Sequence, residues 1–260
     1  MNKLDLKISI FLGFISFISG FFVVPYQMEV ISPQLAEEII ESIPFSINIL
    51  TIISSLQLFV IAFILSFLGL KLARRTGFSV EILSAIFEKR KVQINQKSVV
   101  ISIIGGVFLG LIIIGTDRFY FQNQITMIAE NPPEFSLLGL MAGVFYGGVF
   151  EEILIRLFLM SLIVWFSMKV LKQDKNTSSQ KVYWLAIILT SLIFAAAHLP
   201  VTGMTFGELT GTLIFRSFLL NGIGGVIFGY LYWIKGFEYA VIAHAFAHIS
   251  MQLLFIPIFF

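Results

Sequence analysis

Residues 136–171 read SLLGLMAGVFYGGVFEEILIRLFLMSLIVWFSMKVL, an apolar run with Glu151, Glu152 and Arg156 set in its middle. Charged side chains are costly in hydrocarbon and occur there for an internal reason, so this stretch decides both the fold and where to look for chemistry. The backbone in such a segment must satisfy its own hydrogen bonds, which forces a helix. At 1.5 Å per residue that helix is about 54 Å long, more than the ~30 Å of a bilayer core, so it overshoots, tilts or kinks near Gly147-Gly148.

The rest of the chain repeats the pattern. Of 260 residues, 58% are hydrophobic and 12% charged, about half the charged share of a soluble domain. Further apolar runs lie at 8–24, 46–70, 99–116, 183–199, 212–233 and 238–259. The expectation is an all-α polytopic membrane protein with seven spans in one bundle, or eight if the long fourth run divides. Residues 1–260 read as a single transmembrane domain, with 136–250 as its functional core. The first run follows Lys3 and Lys7, but no small-x-small cleavage site precedes Pro25, so it reads as a retained span and not a secretory signal.

Charge placement sets orientation. Apart from Arg118, Arg156 and Arg216, every Lys and Arg falls at the N-terminus, in the second connection (Lys71 to Lys97), around the fourth (Lys169 to Lys181) or at Lys235. These are alternate connections, so the positive-inside rule puts the N-terminus in the cytoplasm and the C-terminus outside. Tyr183, Trp184, Tyr232 and Trp233 fall at the inner interface. The basic second connection has few aromatics to stack bases, so it reads as a topology signal and not as a nucleic-acid surface.

All three histidines also lie in apolar stretches: His198 in FAAAHLP, His244 and His248 in IAHAFAHIS. Glu152 and Arg156, four apart, share a helical face, while Glu151 points about 100° away. Arg156 can therefore neutralise Glu152 and leave Glu151 free to act. His244 and His248, also four apart, project from one face, a spacing that suits two ligands of one metal or one imidazole orienting another. His198 closes the fifth span just before Pro200, a helix terminator. Together these residues point to one polar site that activates water inside a membrane. The chain has no cysteine, which removes thiolate nucleophiles and thiolate metal ligands. There is no H-E-x-x-H and no G-x-S-x-G, and Asp5, Asp117 and Asp174 stand at or beyond the span margins.

The ordered set E-E-x-x-x-R at 151–156, F-x-x-x-H from Phe194 to His198, and His244 with a polar residue at 248 resembles the CPBP family, which comprises type II CAAX prenyl endopeptidases and bacteriocin-processing or immunity membrane proteins. The small-residue stretch from Gly225 to Gly229 is similar to the family's too, and the first three spans carry no resemblance. The resemblance implies an intramembrane endopeptidase acting on a membrane-associated peptide or protein, in a bacterial cell membrane. It implies Glu151 as the base, Glu152 and Arg156 as its electrostatic support, His198 as the partner that holds the water, and His244 as a ligand or oxyanion stabiliser. The family usually has Asn where this chain has His248. A histidine there can still donate, and can also bind metal. His198, His244, His248 and Glu151 are thus candidate ligands for one divalent metal, zinc first. Competing readings are a non-enzymatic immunity or interaction protein and a proton-coupled carrier; the carrier would show paired broken segments in two halves, and none is visible. Strict span edges leave His198 near the outer leaflet and His244 near the inner one, whereas a single site needs them at one depth.

Overall fold

The computed structural model describes residues 3–31 and 33–260. Seven helices are long and apolar enough to cross a membrane. They are α1 (Lys3–Val30), α2 (Ile47–Thr76), α3 (Gln96–Phe119), α4 (Leu137–Val170), α5 (Gln180–Ala197), α6 (Gly211–Ile234) and α7 (Phe237–Phe259). No strand occurs among the described residues. The fold class expected from the sequence is therefore met, with seven spans and not eight.

α4 runs unbroken through the middle of the bundle, touching α1, α2, α5, α6 and α7, while α1 packs along α2, α3 along α7 and α5 along α6. Its excess length is absorbed without a division: from Gly143 to Met160 the turns widen to i→i+5 hydrogen bonding, with Glu152 between two such segments. Wide turns of this kind concentrate at functional sites.

Small residues set how closely the helices approach. A Cβ added at Gly225 would lie 2.7 Å from Ser191 Cα, and one at Gly229 would lie 3.3 Å from the Ile187 side chain, so α6 lies backbone-close against α5. Charges at the span ends pair across helices: Arg74 of α2 forks onto Asp5 of α1, and Arg216 Nε of α6 donates to Asp117 of α3 at 2.6 Å.

The connections are capped locally. Gly77, at φ 84°, ends α2 in the left-handed conformation that glycine adopts without a Cβ penalty. Asn95 and Thr210 accept from backbone N–H groups in the first turns of α3 and α6. Gly236, at φ 116°, makes the tight turn into α7, after which Phe237 N–H donates to Ser79 O at 2.9 Å. Glu238 accepts from Leu83 N–H at 2.9 Å, tying that turn to the short helix Glu81–Phe87.

Candidate active site

α4 supplies both glutamates and the arginine. Glu152 and Arg156 are fully buried, and Arg156 Nη1 lies 2.9 Å from Glu152 Oε1, as the four-residue spacing predicts. Arg156 Nη2 also donates to Gly225 O at 3.2 Å, and the guanidinium lies over the faces of Phe194 (4.8 Å) and Phe228 (5.3 Å). A buried cation is tolerable only with such compensation, here a carboxylate, a carbonyl and two aromatic faces.

Glu151 points away from that pair. Its Oε1 lies 3.9 Å from His198 Nε2 and its Oε2 lies 3.8 Å from His244 Nε2, with the carboxylate 16% and His198 26% exposed. The two histidines that span edges alone would have placed at different depths thus meet at one carboxylate.

His198 is oriented by the end of its own helix. Its backbone N–H turns to Ala195 O, which frees Phe194 O to take the imidazole Nδ1 at 2.7 Å. Pro200 then sits in the first turn of the next helix, Leu199–Phe206. A carbonyl only accepts, so Nδ1–H donates, and in a neutral ring the Nε2 lone pair faces Glu151.

His244 is held on every side. Its Nδ1 lies 2.9 Å from Glu152 Oε1, Phe228 stacks on the ring at 4.3 Å and 17°, and Phe194 meets it edge-on at 6.0 Å. His248 lies on the opposite side from Phe228, stacked at 5.3 Å and 19°. It fills a recess against Gly143 and Gly147, where a Cβ added at Gly147 would lie 2.8 Å from His248 Nε2 and 3.2 Å from His244 Nε2.

His248 therefore stands beside the Glu151 cluster, with no ring nitrogen within ion-pair distance of a carboxylate among the described residues. The expected four-ligand metal set is not gathered: the described residues hold no group of three or more His, Cys, Asp or Glu side chains placed to hold a metal ion. The separations of 3.8 and 3.9 Å around Glu151 exceed the ~3.3 Å between neighbouring donors of a tetrahedral zinc with bonds of about 2.0–2.1 Å. They suit a bridging water, since a polar contact beyond about 3.5 Å invites one.

Four parts of the site escaped the sequence reading. Phe228 and the carbonyl of Gly225 depend on how α6 packs, and Gly143 and Gly147 acquire meaning only once His248 is seen against them. For the glycines a signal existed, small residues at i and i+4 inside an apolar helix.

The architecture is a bundle of seven helices long and apolar enough to cross a membrane, with a carboxylate and two imidazoles converging inside it. Residues 133–250 match the family described as Type II CAAX prenyl endopeptidase Rce1-like, and that stretch is recognised as an Rce1-like CAAX-protease segment. It contains every side chain of the cluster. No curated protein and no solved structure matches the chain.

Proposed function

We propose that this protein is an intramembrane endopeptidase that hydrolyses a peptide bond in a membrane-associated peptide or protein, with Glu151 as the base. The observation that carries the reading is the pair of gaps, 3.9 Å to His198 Nε2 and 3.8 Å to His244 Nε2, on the two oxygens of Glu151. The Glu151 carboxylate and the Nε2 lone pair of His198 face each other there as acceptors. A water set between Glu151 and His198 satisfies both, donating one hydrogen to each and leaving its lone pair free to attack.

Attack on the scissile carbonyl carbon transfers the water proton to Glu151 and puts negative charge on the carbonyl oxygen. With Glu151 ionised and Arg156 cationic, one proton shared along the 2.9 Å hydrogen bond between Glu152 and His244 Nδ1 brings the cluster to neutrality and leaves the other proton of the ring on Nε2. The Nε2–H of His244 is then a donor facing the reacting oxygen, held in place by Glu152 on the other nitrogen. When the tetrahedral intermediate collapses, the C–N bond breaks and Glu151 returns its proton to the leaving amine. The largely buried surroundings, with Glu151 only 16% exposed, strengthen each of these interactions.

The distribution of Lys and Arg supports a cytoplasmic N-terminus and an extracytoplasmic C-terminus. The test is purified wild type against Glu151→Ala, each incubated with a library of membrane peptides and read by mass spectrometry. Cleavage by the wild type alone supports the proposal. Cleavage by both, or by neither, overturns it.

A further inference from the structure

A second polar feature lies where α4 ends. Its last turns and the loop beyond read Trp165-Phe-Ser-Met-Lys169-Val-Leu-Lys172-Gln173-Asp174, and they meet the end of α2 at Arg75. Between them is a cavity of about 440 Å³, within the ~300–1,000 Å³ usual for small-molecule sites.

Three cations line it. Arg75, Lys169 and Lys172 are exposed, and none forms an ion pair among the described residues. Lys172 holds φ 53°, the left-handed position after a helix where glycine is the usual occupant. Lys169 Nζ lies 6.0 Å from the centroid of Trp165, an aromatic of the kind that settles at membrane interfaces.

The one acidic neighbour offsets a single charge, which leaves the lining with a positive excess of two. Asp174 Oδ1 accepts from Asn176 N–H (2.8 Å), Thr177 N–H (3.0 Å) and Thr177 Oγ1 (3.1 Å), so the carboxylate closes its own loop. The same bonds hold its pKa below the ordinary carboxylate value. Gln173 has its Oε1 buried with no hydrogen-bond partner among the described residues. A buried acceptor of that kind calls for a donor. A helix C-terminus and a topology signal account for cations at this end of the spans, but not for a cavity ringed by three of them beside an unpartnered acceptor.

We propose that this cavity binds the headgroup of an anionic glycerophospholipid that carries a hydroxyl. Its phosphate lies among Arg75, Lys169 and Lys172, Trp165 stands at the level of the glycerol, and the Gln173 side chain, whose Oε1 has no partner where it is buried, turns toward the cavity to accept from the headgroup hydroxyl. Basic pockets between membrane helices are suited to such headgroups. A free phosphate shares the charge but not the anchorage, and the lipid is favoured because the cavity opens at the ends of two spans.

The test uses full-length protein and native mass spectrometry with phosphatidylglycerol, phosphatidylmethanol as an anion lacking the headgroup hydroxyl, and phosphatidylcholine. Arg75→Gln/Lys169→Gln/Lys172→Gln is expected to weaken phosphatidylglycerol binding roughly 100-fold, and each single substitution about fivefold. The singles carry the test if the triple variant does not fold. Lys3→Gln/Lys91→Gln/Lys97→Gln removes the same charge elsewhere and is expected to bind as wild type does. Gln173→Leu is expected to erase the preference for phosphatidylglycerol over phosphatidylmethanol. Equal weakening in both triple variants would overturn the proposal, since binding would then follow net charge alone. So would inorganic phosphate raising the melting temperature as much as the lipid does, which would make this a site for soluble anions.

Discussion

Glu152 Oε1 lies 2.9 Å from Nδ1 of His244, a residue ninety-two positions later in the chain. The contact fixes which nitrogen of His244 faces the Glu151 carboxylate. It also makes Glu152 the joint between Arg156, which it neutralises, and His244, which it orients. Glu152→Gln keeps the shape and removes the charge, and its amide can present either an N–H or an oxygen to His244. Turnover is expected to fall on the order of 10²-fold or more, with KM little changed, because the orienting contact acts on the transition state and not on substrate binding. Steady-state kinetics on a cleaved peptide would check this, and a change confined to KM would remove Glu152 from the positioning role.

Glu151→Gln tests the base itself. Its carboxylate is partly reachable and makes no ion pair with Arg156, so the amide fits without disturbing the buried pair. Folding should be kept and the rate should fall by at least ~10². A variant with full activity would end the assignment of Glu151 as the base.

Arg156 serves stability as well. Arg156→Ala leaves Glu152 buried without its charge partner and empties the space between Phe194 and Phe228. Breaking a buried pair in this way costs about 3–5 kcal/mol. Thermal unfolding in detergent should show a marked drop in melting temperature, and Arg156→Lys should recover only part of it, since an ammonium cannot span Glu152 and Gly225 O together. An unchanged melting temperature would mean that water reaches Glu152 and screens it.

How much of this was legible beforehand follows from what helical spacing encodes. Period and length report rotation and extent within one helix, so the seven spans, the Glu152–Arg156 pair and the divergence of Glu151 could be read directly. They say nothing of the slide and tilt of one helix against another. The meeting of His198 and His244 at Glu151, which span edges alone place at different depths, depends on such slides, set by contacts like Gly225 on Ser191 and by the wide turns of α4. His248 shows the limit most sharply. Sharing a face with His244 implied a shared ligand, yet the stacking of the two rings turns His248 toward the glycines of α4 and away from the carboxylates.

That recess gives a further prediction. A methyl at position 147 would lie 2.8 Å from His248 Nε2 and 3.2 Å from His244 Nε2, so Gly147→Ala must displace both rings. Misplacement of a catalytic group by about 1 Å can cost 10²-fold in rate, whereas overpacking costs ~1–3 kcal/mol in stability. The expected outcome is a folded protein with a rate lower by that order. Gly147→Ala with wild-type kinetics would show that the two imidazoles need not hold this arrangement.

The last prediction concerns metal. A catalytic zinc needs three protein donors around one point, and the described side chains do not supply them: His198 and His244 flank Glu151 at 3.9 and 3.8 Å, while His248 lies behind His244. The proposed activation of water by Glu151 and His198 requires no metal. Chelation should therefore leave cleavage intact, and elemental analysis of protein purified without chelator should find well under one equivalent of zinc. His248→Asn should retain most activity, because the amide fits the same recess and can still donate a hydrogen bond. Close to one equivalent of metal, lost together with activity on chelation and weakened in His248→Asn, would show instead that the histidines close around an ion during turnover and that the gaps at Glu151 mark its place.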